Sequence, residues 1–215
     1  MTYIISGICG DLQKYEALRE NAFIKDTDTV YILGGACGGD LSLLCELSMC
    51  ANVYPVMAKC DYDAFRMLRG FEKALKNTGD PDPKFITEMK KWVAEGGQDM
   101  LAAFRAFDAD MKEGILDYME EFTLFEEASV KGKEYVLIPM GITPYTKNTD
   151  LYDLEAQNFL SKPLDLEKKY FDGKTVITAS SKQECDKVTR VGDNISIDCG
   201  KAICLRLDDM SEFYA

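Results

Sequence analysis

The chain holds 215 residues and 24.1 kDa, the length of one ordinary domain. Its 47% hydrophobic and 29% charged residues are globular proportions, unlike those of a disordered chain. Against 25 basic residues stand 37 acidic ones, a formal charge of −12, which repels phosphate backbones and anionic headgroups, so neither nucleic acid nor an anionic membrane is expected as a partner. The sequence contains no histidine, the commonest metal ligand and the usual acid–base group near neutral pH, which excludes serine–histidine triads, cysteine–histidine dyads and histidine-containing metal sites.

Thr2 to Ser6 is a short apolar run ahead of Gly7 and Gly10, and Leu12, Tyr15 and Leu18 then recur at helical spacing, which predicts strand, glycine turn and helix. The pattern returns with Val30 to Leu33, the glycine-rich Gly34 to Asp40, and Leu43, Leu44 and Leu47. It returns again with Val53 to Met57, followed by Phe65, Leu68 and Phe71. Alternating strands and helices imply a largely parallel sheet, and such sheets bind ligands in the loops beyond the strands' carboxyl ends. Here those loops are Gly7 to Asp11, Gly34 to Asp40 and Ala58 to Asp61. Thr78 to Pro83 reads as a loop opening a helical stretch with Trp92, Leu101, Phe104, Ile115, Leu116 and Met119 on its apolar faces.

Phe125 to Val130 and Tyr135 to Ile138 flank Lys131-Gly132-Lys133, a hairpin signal. A helix is predicted over Leu151 to Leu160. Strands are predicted over Thr175 to Ala179, Asn194 to Asp198 and Ala202 to Leu207, with Val191-Gly192-Asp193 as a turn. Eight cysteines (Cys9, Cys37, Cys45, Cys50, Cys60, Cys185, Cys199, Cys204) come without a charged-then-apolar leader, so reduced thiols and a cytoplasmic location are expected. No apolar run reaches the roughly 18 residues of a membrane span.

The residues that follow these strands are similar to those of a known family. Tyr3-Ile4-Ile5-Ser6 leads to Gly10-Asp11, then come Leu33-Gly34, and Asn52 to Val56 leading to Asp61. Trp92 with Gly96-Gly97-Gln98, Gly141-Ile142, Ile197 to Gly200 and Leu205-Arg206-Leu207 complete the series. In order and spacing the chain resembles the calcineurin-like metallophosphoesterases, specifically their bacterial and phage serine/threonine phosphatase branch. The resemblance implies an α/β fold of layered sheets and helices over residues 1–215, with a helical insertion near 78–122.

It also implies a site, and the site's ligands are missing. The family's Asp-x-His-Gly is here Gly7-Ile8-Cys9-Gly10, with Gly7 at the aspartate and Cys9 at the histidine. In the second motif Gly35 stands at the bridging aspartate, Gly38 at the next aspartate and Gly39 at the arginine. In the third, Lys59 replaces the asparagine and Cys60 the proton-donating histidine, and the two later histidines fall at Pro139 and Ser180. Asp61 remains, and its implied role is to orient the missing histidine. A two-metal phosphatase needs ligands both to generate hydroxide and to clamp phosphoryl oxygens, and glycine, proline and lysine side chains offer none. The expectation is therefore a catalytically inactive pseudophosphatase without metal or cofactor, a binding or regulatory protein whose partner is a protein or a phosphate-containing ligand. Lys59, Ser180 and Lys182, with backbone N–H groups of the glycine loops, are the candidate anion-binding residues.

Three alternatives accompany that reading. Cys9, Cys37 and Cys60 converge from successive loops and could form a thiolate site for zinc or copper(I). Cys60 to Arg66 matches the Cys-x5-Arg loop of cysteine-dependent phosphatases, although Asp61-Tyr62-Asp63-Ala64-Phe65 is bulky and acidic for a phosphate cradle. The third is a residual phosphoesterase with an atypical arrangement.

Overall fold

The computed structural model describes residues 1–76, 82–182 and 186–215. Positions 78–81 of the predicted Thr78 to Pro83 loop, and Cys185, lie outside the described residues. The first sheet carries β1 (Thr2–Ser6), β2 (Thr29–Leu33) and β3 (Val53–Val56) in parallel, with α1 (Leu12–Asn21) and α2 (Ser42–Ser48) as crossovers. α3 (Lys59–Lys76) follows β3, and α4 (Pro83–Trp92), α5 (Gln98–Ala106) and α6 (Ala109–Glu120) come next. β4 (Glu126–Val130) and β5 (Lys133–Ile138) form a hairpin, α7 is Ala156–Leu160, and β6 (Lys174–Thr178), β7 (Thr189–Val191), β8 (Asn194–Ser196), β9 (Ile203–Arg206) and β10 (Ser211–Tyr214) close the chain.

The strand orders are β10-β9-β1-β2-β3 and β4-β5-β6-β8-β7. β5, β6 and β8 run parallel, while the edge strands β4 and β7 pair antiparallel. The mixed α/β architecture expected from the sequence is present, as two sheets rather than one. Side-chain alternation explains how they stack. Tyr3 and Ile5 of β1 face the helices, beside Leu18, Leu44, Leu68, Phe104 and Leu116. Ile4 faces the other way, into a layer shared with Leu33, Leu137, Ile177, Ile195 and Leu205 of both sheets. On β5, Tyr135 and Leu137 point into that layer, whereas Val136 and Ile138 point outward to Phe159 and Leu160 of α7. The result is helices, sheet, sheet, and an outer layer of α7 and loops. Each fully buried Leu or Ile contributes about 1.5–3 kcal/mol, which pins every strand's register because a one-residue slip would turn these faces inside out.

The hairpin turn has φ of 53° at Lys131 and 76° at Gly132, as a two-residue turn matched to strand twist requires. Several elements differ from the sequence-based expectation. Ala58 to Asp61 is the entry to α3 rather than a loop, and the helix predicted over 151–160 is a 3-10 turn at Leu151–Asp153 followed by the short α7. β7 and β10 were not expected. Among the helices of the 78–122 region, Met100, Phe104, Ile115, Leu116 and Met119 join the same core as α2 and α3. Between α4 and α5 a π-helical turn spans Val93–Gly97, with Gly96 at φ 116°, and a Cβ on Gly97 would lie 2.5 Å from the Trp92 ring. Trp92 and Gly97 are thus explained by packing. No described helix is long and apolar enough to cross a membrane.

Candidate functional site

A cavity of about 440 Å³ opens where the parallel strands of both sheets end. Ser6, Gly7 and Cys9 reach it from β1, Gly34 and Gly35 from β2, and Ala58, Lys59 and Cys60 from the entry to α3. Pro139 and Met140 follow β5, Ala179 and Ser180 follow β6, and Asp198 to Lys201 lie between β8 and β9. The structure therefore brings Gly7, Cys9, Gly35, Lys59, Cys60, Pro139 and Ser180 together around one opening. Gly38, Gly39, Asp61 and Lys182 are not on its wall.

Asp61 is fully buried behind the cavity. Its Oδ2 accepts from the backbone N–H of Gly35 and of Ala58, each at 3.0 Å, and its Oδ1 accepts from Cys37 N–H at 2.8 Å. Gly34 and Gly35 adopt φ of 75° and 74°, a left-handed backbone that turns successive amides inward without the penalty a Cβ would bring. The second glycine loop is thus an anion nest, and the chain's own carboxylate fills it. Burial pushes the Asp61 carboxyl up, while the amide donors of Cys37, Ala58 and Gly35 pull it back toward the charged form. These three N–H groups are spent on Asp61 and are not available to a ligand, contrary to the sequence-based expectation.

The family's two-metal arrangement can be tested against this backbone. A Cβ on Gly7 would overlap the Lys201 carbonyl, and one on Gly38 would overlap the Cys9 carbonyl. Neither position has room for an aspartate: the β8–β9 connection closes on Gly7, and the loops after β1 and β2 lie in direct contact at Gly38, where Gly10 N–H donates to Gly35 C=O at 2.9 Å. Among the described residues no group of three or more His, Cys, Asp or Glu side chains is placed to hold a metal ion. The residues present do not fit the two-metal centre. The same finding removes geometric support from the thiolate alternative: Cys9 and Cys60 border the cavity, but Cys37 is buried.

Burial, then the Asp61 carboxylate and Cys60, hold the Cys37 thiol well above its usual range. Cys60 is exposed as a residue, yet desolvation of its thiol and the Asp61 carboxylate push it up as well. Neither is a thiolate nucleophile at neutral pH. The Cys-x5-Arg reading also fails on conformation: Cys60 to Arg66 is helix, and Arg66 turns to Glu88 at 3.2 Å and to the Tyr62 ring.

The cationic residues are placed unequally. Lys59 lines the cavity but pairs with Asp63 one turn along α3. Lys182 pairs with Asp165 at 2.8 Å and is not among the residues lining the cavity. Lys201 lies on the wall and forms no ion pair among the described residues; the sequence reading missed it and its neighbour Asp198. The signal that leads to it in the sequence is Ile197 to Gly200, the segment of the resemblance directly ahead of Lys201.

No family model matches the sequence, and comparison with curated proteins gives no match. Solved structures do match. One is a candidate diadenosine tetraphosphatase, 11% identical, with a TM-score of 0.64 and 100% of this chain aligned to 92% of that one. A metallophosphoesterase from Sphaerobacter thermophilus is 12% identical, with a TM-score of 0.54 over 100% of this chain and 89% of its own. A hypothetical protein from Pyrococcus horikoshii OT3 is 14% identical, with a TM-score of 0.50 over 100% and 87%. At such identities the likeness is one of fold, and the fold is that of the metallophosphoesterases.

Proposed function

We propose that the protein is a non-hydrolytic member of this fold, a pseudophosphatase of the serine/threonine phosphatase type that acts by binding. The observation that carries the reading is the closed backbone at Gly7 and Gly38, which leaves no volume for the carboxylates that would hold metal. The surviving cavity suits a phosphate-bearing ligand. Lys59, Lys201, Asp198 and Ser180 are among its lining residues. Charge-assisted hydrogen bonds contribute about 1.5–3 kcal/mol each. Lys59 is more than half exposed and shares its charge with Asp63, so its contribution falls at or below the lower end. The expected affinity is weak and salt-sensitive, in the millimolar range typical of about 4 kcal/mol.

The test pairs a phosphatase assay in added manganese with an NMR titration of inorganic phosphate. No turnover is expected, together with saturable phosphate shifts near Lys201 that vanish in Lys201→Glu and weaken in Lys59→Glu. Manganese-dependent turnover that a substitution at Cys60 removes would overturn the reading in favour of a hydrolase with an unfamiliar arrangement. Absence of phosphate binding would move the function away from this cavity.

A further inference from the structure

A second cavity, also about 440 Å³, lies between the β5–α7 and α7–β6 connections and shares no lining residue with the first. Its walls are of two kinds. Tyr145, Tyr170 and Phe171 form an aromatic cluster, with Tyr145 centred 5.0 Å from Tyr170 and 5.6 Å from Phe171. Lys147, Lys168 and Lys169 supply three ammonium groups, and the only lining carboxylate is Asp172.

The lysines are held but not saturated. Lys168 donates to the Tyr145 C=O at 3.1 Å and lies 4.8 Å from the Tyr145 ring centre and 5.4 Å from that of Tyr170. This fixes its ammonium against the rings while using one of its three donors on a carbonyl. Lys169 and Lys147 share Asp172, at 2.7 and 3.4 Å, while Asp193 acts on Lys169 and Asp165 on Lys168 from outside the cavity wall. On a chain of formal charge −12, three cations gather here beside aromatic rings, and Lys147 and Lys169 stay largely exposed despite their ion pairs. A phosphate would meet the unspent donors of all three lysines, and a flat ring would meet Tyr145 and Phe171. The volume is that of small-molecule sites.

We infer that this cavity binds a small aromatic phosphate of the nucleotide class, independently of the first cavity. The experiment is isothermal titration with adenosine monophosphate at low salt, with inorganic phosphate and adenosine as separate arms. Saturable binding at or below about 1 mM is expected for the monophosphate, with each half-ligand weaker. Lys147 and Lys169 are strongly exposed, so the double variant Lys147→Gln, Lys169→Gln should keep its melting temperature and lose at least about tenfold in affinity, the loss expected of two charge-assisted contacts. Lys201→Glu should leave this binding unchanged, which separates the two cavities. No saturation by about 10 mM, or binding that survives in the double variant and disappears in Lys201→Glu, would overturn the inference.

Discussion

Asp61 carries a carboxyl group into the interior and meets it with three backbone dipoles rather than a counter-ion. Hydrogen bonds to an ionised acceptor are about twice as strong as neutral ones, and donors left bare in a buried place cost about 1–3 kcal/mol each. Asp61→Ala strips the partner from three N–H groups at once and should lower the unfolding free energy by about 3 kcal/mol or more. Asp61→Asn keeps the shape but puts an NH2 against at least one N–H, so an intermediate loss is expected. Urea denaturation of both variants measures this; a loss under about 1 kcal/mol in Asp61→Ala would mean that water reaches those amides. The residue whose implied family role is to orient a histidine holds the second glycine loop to the start of α3 instead.

At the scale of elements, the decisive contact is between the loops after β1 and β2, where Gly38 meets the backbone of Cys9 and Gly10. Gly38 has no positive φ, so substitution there is penalised by crowding alone. Gly38→Asp should destabilise by about 1–3 kcal/mol or more through overpacking. Gly39→Ala, at φ 51° with only an ordinary 3.7 Å contact to the Gly10 carbonyl, should cost only the left-handed penalty of about 1–2 kcal/mol. Thermal melts that rank the two in the opposite order would show that the loops part readily. The strands of the core were legible because each is a compact apolar run, and the hairpin because Lys131-Gly132 can take the turn. The start of α3 was not: Ala58-Lys59-Cys60-Asp61 has no side-chain cap ahead of it, and Asp61 instead reaches back to Ala58 N–H from within the first turn. β7 and β10 are short edge strands whose pattern is weak until a neighbour supplies the ladder. The site shows the same division. Gly7, Cys9, Gly35, Lys59 and Cys60 follow their strands directly and were found. Lys201 reaches Gly7 only through the antiparallel register of β9 on β1, which sets Ser6 opposite Ile203. Lys182 was misplaced because the chain has already turned by then, its N–H donating to Leu164 C=O.

For the whole molecule, stability rests on three apolar layers that the two sheets separate, and among the described residues no cluster of metal-ligating side chains accompanies them. A ligand raises the melting temperature only if it binds the native state. Treatment with EDTA should therefore leave the melting temperature within about 1 °C, well under the several degrees that 1 kcal/mol makes in a chain of this size; a larger fall would reveal a resident metal. The interlocked glycine loops have one more consequence, for the paths open to mutation. Recovering a two-metal centre from this sequence takes several ligands at once, among them carboxylates at Gly7 and Gly38, with the β8–β9 connection withdrawn from the first and the loop after β1 withdrawn from the second. Any one of these changes alone crowds or loosens the fold before a metal can offset the cost. Each such single substitution is therefore expected to cost stability before it can bind a metal.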